Sequence, residues 1–302
     1  MNIIFMGTPD YAEKILKKII LDDTINVVAV YTQPDKPVGR KKIMTSPEVK
    51  LLAQEYNIPT YQPSRLRDES VVEELIKIEC DYIVVAAYGQ ILPRKILDHA
   101  PCINLHASIL PKYRGASPIQ QVLLNNERET GVSAMLMEEG LDTGDIIKID
   151  RVEIPKDMMV EDLFQELTEV AATLTIDVLK NFASYKAIKQ NESEATHCKK
   201  ITKQDGLVSF DHALELYNKY RAFTPWPGIY LESGIKLKYI ELIEDSSSGE
   251  AGEIIEIEKE SIVVTCTRGK IRIFNVQPSS KKEMSVISYI NGKRLVVSDT
   301  FS

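Results

Sequence analysis

Short apolar runs alternate with amphipathic stretches through the first half of the chain. Residues 2–6, 27–32, 82–87 and 102–106 read as strands. Between them, Ser46-Pro47-Glu48 opens a helix with a capping serine, a proline in the first turn and an early acid. Residues 68–78 are also helical in pattern. Strands alternating with helices predict βαβ units around a mostly parallel sheet. Farther on, Leu163, Leu167, Val170, Leu174 and Val178 recur at steps of three and four, the apolar face of one long helix. That helix closes a first, Rossmann-like α/β domain spanning 1–186.

From 187 to 206 the apolar period is lost in a polar stretch that contains Lys189-Gln190-Asn191-Glu192-Ser193-Glu194, which predicts a linker. A second domain over 207–302 opens with a helix near 211–221 and continues with alternating strands such as 235–239 and 270–274. A late helix over 282–291 is closed by Gly292, and Ser246-Ser247-Ser248 reads as a loop. Several short strands with one such helix predict a small β-barrel of the OB-like, Greek-key type.

A length of 302 residues suits two compact units better than one. With 44% hydrophobic and 27% charged residues the chain can bury full cores, which excludes a disordered protein. The net charge of −7, from 37 basic and 44 acidic side chains, excludes a general basic field, so any RNA contact must come from local patches. No stretch approaches the roughly 20 apolar residues of a membrane span. The first apolar run has no basic leader and stops at Gly7, so a cytoplasmic location is expected. Cys80, Cys102, Cys198 and Cys266 fit no paired metal spacing and are expected to be reduced structural thiols.

The residues that carry chemistry cluster at the end of the 102–106 strand. Side chains two apart in a strand share a face, so Asn104 and His106 point the same way at the carboxyl edge of a parallel sheet, where open α/β folds bind ligands. An amide donor beside an imidazole suits a developing oxyanion and proton transfer. A second cluster, Glu139-Gly140-Leu141-Asp142-Thr143-Gly144-Asp145, sets carboxylates between glycines, a pattern that by itself is common in turns. There is no Gly-x-Ser-x-Gly elbow, no Walker-type loop and no Gly-x-Gly-x-x-Gly fingerprint, which argues against serine hydrolase, nucleotidase and dinucleotide oxidoreductase chemistry.

Asn104-x-His106 followed by Ser108-Ile109-Leu110-Pro111, with Leu141-Asp142-Thr143-Gly144 downstream, resembles the signature of the folate-dependent formyltransferases. The likeness extends to Phe5-Met6-Gly7-Thr8-Pro9, Tyr113-Arg114-Gly115-Ala116-Ser117-Pro118 and Arg221-Ala222-Phe223-Thr224-Pro225-Trp226-Pro227-Gly228, and so covers nearly the whole chain. The resemblance implies Asn104, His106 and Asp142 as a catalytic trio. It implies a 10-formyltetrahydrofolate donor cradled by Ser108, Ile109, Leu110 and Pro111, with Tyr88, Gly89, Gln90, Ile91 and Leu92 nearby. It further implies initiator methionyl-tRNA as formyl acceptor; from the residue spacing and the lack of a long apolar run no metal and no membrane contact are expected, and a monomer is expected.

Ile109 stands where the family usually has Leu, and Ala107 where Gly is common, which removes freedom to adopt positive φ. The family's long loop after the second strand corresponds to 33–45 here, and places Arg40, Lys41 and Lys42 against the tRNA. Arg268, Lys270, Arg272, Lys281, Lys282, Lys293 and Arg294 form a candidate phosphate patch in the second domain. Alternatives that share the same trio are a formyltransferase acting on a glycinamide nucleotide or amino sugar, and a hydrolase releasing formate.

Overall fold

The computed structural model describes residues 1–39 and 41–302. The chain divides into two compact units. The first comprises Met1–Pro118, Glu129–Ile154 and Leu163–Cys198, and the second Ile119–Arg128, Pro155–Asp162 and Lys199–Ser302.

The first unit begins with β1 (Asn2–Gly7), whose residues after Asn2 are all buried, and α1 (Asp10–Ile20). Helix α1 buries Tyr11, Ala12, Ile15, Leu16 and Ile19 on one face, with Asp10 and Glu13 in its first turn and Lys17 and Lys18 in its last. That charge order complements the helix dipole at both ends. Next come β2 (Asn26–Tyr31), β3 (Lys36–Val38), β4 (Ile43–Thr45), α2 (Glu48–Glu55), β5 (Thr60–Tyr61) and α3 (Glu69–Leu75). They lead to β6 (Tyr82–Ala86), α4 (Arg94–Leu97), β7 (Cys102–His106) and β8 (Arg114–Gly115). After α5 (Pro118–Leu124), which from Ile119 on belongs to the second unit, come β9 (Glu129–Leu136) and β10 (Ile146–Glu153), and the long α6 (Val160–Asn181) leads on to β11 (His197–Cys198).

The central sheet runs β10-β9-β7-β6-β1-β2-β5 among the described residues. From β7 to β5 every pairing is parallel, whereas β9 and β10 are antiparallel. The carboxyl ends of β1, β6 and β7 therefore lie side by side, which is where the candidate site forms. Leu163, Leu167, Leu174 and Val178 of α6 are buried, as the periodicity predicts, and Val170 is half-buried.

Two expectations change. The 33–45 segment is not all loop, because β3 and β4 pair antiparallel into a hairpin. Its root is tied by Asp35, which accepts from Gln62, Lys50 and Ser46 and whose carboxyl is thereby pulled down to about 2. The expected 187–206 linker is likewise no free tether in its first part. Ile188 bridges Ile146, Gln190 is buried, and β11 pairs in parallel with β8, so 187–198 belongs to the first unit. These anchors are short backbone pairings and amide hydrogen bonds, invisible to a reading based on apolar periodicity.

The second unit holds α7 (Ala213–Phe223), β12 (Ile229–Tyr230), β13 (Lys236–Ser248), β14 (Ile254–Ile257), β15 (Ile262–Thr265), β16 (Arg268–Gln277), β17 (Met284–Ser285) and α8 (Val286–Lys293). Its antiparallel sheet runs β12-β13-β16-β15-β14, with β17 on β16 and several register shifts along β13. Ser246, Ser247 and Ser248 are the end of β13 rather than a loop. Helix α8 starts later than expected, behind the capping hydroxyl of Ser285, and passes through Gly292 to stop at Arg294, which takes the left-handed conformation at φ 59. Two strand cations of the expected phosphate patch are matched by acids, Lys270 by Glu244 and Arg272 by Glu241 and Glu258, while Arg268 donates to the Asp245 carbonyl. Among the described residues no helix is long and apolar enough to cross a membrane.

Candidate active site

Asn104 and His106 leave the same face of β7, held in place by β6 on one side and β9 on the other. Asp142 reaches them from the connection between β9 and β10. Its φ of 54 lies in the left-handed region that Asp tolerates better than most residues. Oδ1 of Asp142 accepts from Asn104 Nδ2 at 3.3 Å, and Oδ2 accepts from the Gly115 N–H at 2.9 Å and lies 3.6 Å from His106 Nδ1. The His106 and Asp142 side chains are 7% and 11% exposed, so water screens this ion-pair geometry only weakly. The three expected catalytic side chains are thus brought together.

The ring of His106 is oriented by its far nitrogen, which stands 2.9 Å from the Tyr113 carbonyl. A carbonyl oxygen only accepts, so Nε2 carries the hydrogen of that contact and Nδ1 is the nitrogen that faces the carboxylate. Tyr113 and Arg114 are in turn set by Thr196, the residue before β11: Thr196 Oγ1 accepts from the Tyr113 N–H, and the Thr196 carbonyl accepts from the Arg114 N–H, while Gly115 pairs with Cys198 of β11. Gly115 has a φ of +113, and a Cβ there would stand 2.4 Å from the Cys198 carbonyl oxygen, so only glycine fits. Gly144 meets the same limit, with the Leu136 carbonyl oxygen 1.9 Å from a would-be Cβ.

Beneath the Asp142 turn, Gln190 donates from Nε2 to the carbonyls of Asp142 (2.9 Å) and Gly144 (2.7 Å). Its Oε1 accepts from Arg114 Nε and Nη2, at 3.1 and 2.8 Å. Arg114, 1% exposed, also forks onto Glu192 at 3.0 and 2.7 Å, which holds that carboxyl below its ordinary value. Gln190 stood outside the residues expected in the site, since nothing in a polar stretch marks one amide among many.

The segments expected around the folate separate into scaffold and rim. Ser108 is fully buried and donates to the Lys112 carbonyl; Leu110 is buried, its N–H is bound by Ser133 Oγ, and the Leu110–Pro111 bond is cis. Ile109 and Pro111 are half-buried. In the neighbouring loop Tyr88 and Leu92 are buried, and Gln90 bonds Leu66 and Pro63, so these three hold the loop. Gly89 and Ile91 stand open, Ile91 at 79% exposure. Apart from Gly89 and Gly115, the positive φ values of this neighbourhood fall on Ala87, Tyr113 and Asp142 and not on Ala107, so the alanine at 107 carries no such strain. Lys41 and Lys42 are exposed between β3 and β4, and Arg40 lies outside the described residues.

Residues 1–179 match the formyl transferase family, and 200–294 its formyl transferase C-terminal domain. The chain is 64% identical over 302 residues to methionyl-tRNA formyltransferase of Sulfurimonas denitrificans, with 100% of both chains covered. The chain belongs to the methionyl-tRNA formyltransferase family. Other relatives of that name are the Nitratiruptor sp. protein, 54% identical over 303 residues with 100% of both covered, and a Campylobacter jejuni protein, 50% identical over 302 residues with 99% of both covered. Among solved structures, the N-formyltransferase of Helicobacter canadensis in complex with folinic acid and dTDP-3-aminofucose superposes with a TM-score of 0.68 at 20% identity, covering 90% of this chain and 98% of that one. The sugar 3N-formyl transferase WlaRD, solved in the presence of dTDP and 5-N-formyl-THF, gives a TM-score of 0.67 at 20% identity and covers 93% and 99%. At that identity the likeness is one of fold.

Proposed function

We propose that the protein transfers the formyl group of 10-formyltetrahydrofolate to the α-amino group of methionyl initiator tRNA. The observation that carries this reading is the Asp142 carboxylate joined to both Asn104 and His106, in a chain similar from end to end to methionyl-tRNA formyltransferases. In the reaction a bond forms between the amine nitrogen and the formyl carbon, and the bond from that carbon to the folate nitrogen breaks. The amine loses a proton and the folate nitrogen gains one.

Asn104 commits one amide hydrogen to Asp142, and its second is the donor for the oxygen on which negative charge collects. His106, with Nε2 held by Tyr113, handles the proton at Nδ1, and Asp142 supplies the opposite charge when both ring nitrogens are protonated. No covalent enzyme intermediate is required. For the donor, Ile91 and Gly89 offer an open apolar ledge for a flat ring, while Tyr88, Gln90, Leu92, Ser108 and Leu110 shape it from behind and Ile109 and Pro111 flank it.

With 10-formyltetrahydrofolate, the protein is expected to formylate methionyl initiator tRNA far faster than methionyl elongator tRNA. Equal rates on the two tRNAs, or faster transfer to an amino sugar nucleotide, would remove the substrate assignment.

The exposed Lys41 and Lys42 of the hairpin, with Arg40 between β3 and β4 in sequence, are proposed to hold the tRNA through its phosphates. The double variant Lys41→Ala/Lys42→Ala should raise KM for tRNA several-fold. It should also flatten the salt dependence by about 0.9 in log–log slope for each phosphate that is no longer neutralised. KM for the folate should not change, and an unaltered tRNA KM would reject the role.

A further inference from the structure

We propose that Gln190 is a positioning residue for the reaction, fixing where the Asp142 carboxylate stands by gripping the backbone of the turn that bears it. The proposal rests on the role given to Asp142 above.

Apart from the Leu136 N–H to Asp145 carbonyl bond at its root and the bonds of the Asp142 side chain, the outer part of the turn is unpacked. Glu138, Glu139, Gly140 and Leu141 leave it open to solvent, Leu141 at 66% exposure, and Asp142 itself sits in a left-handed conformation that costs on the order of 1 kcal/mol or more unless its surroundings impose it. Gln190 provides that grip from a buried position, 5% exposed. Its single amide nitrogen donates to the carbonyls of residues 142 and 144, on both sides of Thr143. Its oxygen is filled by two N–H groups of Arg114. Two carbonyls on one end and a guanidinium on the other allow only one orientation of the amide, so the group is fully satisfied and a flip would break all four bonds.

The arrangement is also closed on itself. Arg114 is followed directly by Gly115, whose N–H holds Asp142 Oδ2. The side chain of Asp142 is thus fixed by Gly115, and its backbone by Gln190, through one two-residue strand. A shift of Gln190 moves the carboxylate relative to both Asn104 and His106. Glutamate at 190 would keep Arg114 but turn an oxygen toward two carbonyls, and methionine would keep the volume with none of the bonds.

The test uses the full-length protein with Gln190→Met, alone and combined with Asp142→Asn. Alone, the substitution should lower kcat by about 10- to 100-fold, with KM for folate and for tRNA within about twofold of the parent. In the Asp142→Asn background it should leave the residual kcat unchanged, because it acts through a group already disabled. Hydrogen exchange of the Gly115 amide should quicken in Gln190→Met, reporting on the carboxylate without any turnover. Should that variant not fold, Gln190→Glu carries the same expectations. An unchanged kcat, or the same fold-loss in both backgrounds, overturns the proposal, the latter by revealing general loosening. If Asp142→Asn itself turned over normally, the reading of the site would fall and this inference with it. A normal Gln190→Met beside a crippled Asp142→Asn removes the inference alone.

Discussion

Asp142→Asn and His106→Ala are each expected to lower kcat by about 10²- to 10⁴-fold while the protein keeps its fold, the range typical for loss of a positioned acid–base group. The carboxylate is the one group that touches both other members of the trio, 3.3 Å from the amide of Asn104 and 3.6 Å from the imidazole of His106. Asparagine keeps the shape and an acceptor for the Gly115 N–H but removes the charge that faces the ring. Alanine at 106 removes the proton carrier and its bond to the Tyr113 carbonyl, which keeps the contact from Cys198 Sγ at 3.4 Å, a local change costing about 1 kcal/mol of stability. Steady-state kinetics with thermal unfolding on the same samples checks both parts. Near-normal turnover in either well-folded variant contradicts the assigned roles.

The second large effect is expected at Gly115, a residue with no reactive group. Gly115→Ala introduces a Cβ 2.4 Å from the Cys198 carbonyl oxygen and forces a non-glycine residue to φ +113. The strained backbone alone costs about 1–3 kcal/mol, and the 114–115 pairing with β11 must open to relieve the clash. Because the Gly115 N–H is the anchor of Asp142 Oδ2, turnover should fall together with the melting temperature. Gly292→Ala is the contrast: nothing lies within 4 Å of its would-be Cβ and it sits inside α8, so stability should hold or rise by roughly 0.5–1 kcal/mol. If Gly115→Ala melted and turned over like Gly292→Ala, the close approach at β8 would have no functional weight.

What could be read from the chain follows from how each feature is encoded. Asn104 and His106 were legible because a strand repeats every two residues, so any pair at that spacing shares a face. The long face of α6 was legible for the analogous helical reason. Asp142 needed the resemblance, since carboxylates between glycines describe a turn without saying where it folds back. The inward turn of Tyr88, Gln90 and Leu92 and the outward turn of Gly89 and Ile91 could not be read, because a loop has no period from which to assign faces. Gln190 and β11 were hidden for a related reason: their anchoring rests on amide and hydroxyl contacts, and a polar stretch carrying such contacts looks like a linker. The end of α8 at Arg294 shows the limit of glycine as a stop signal, since a left-handed cap can fall on another residue two positions later.

The central claim is that Asn104, His106 and Asp142 hand a one-carbon unit directly to an amine, and the fate of a labelled formyl group tests it most directly. With formyl-labelled 10-formyltetrahydrofolate and methionyl initiator tRNA, the label is predicted to appear in tRNA-bound formylmethionine, with no free formate formed when tRNA is omitted. Label released as formate in the absence of tRNA, at a rate matching that seen in its presence, would contradict the account.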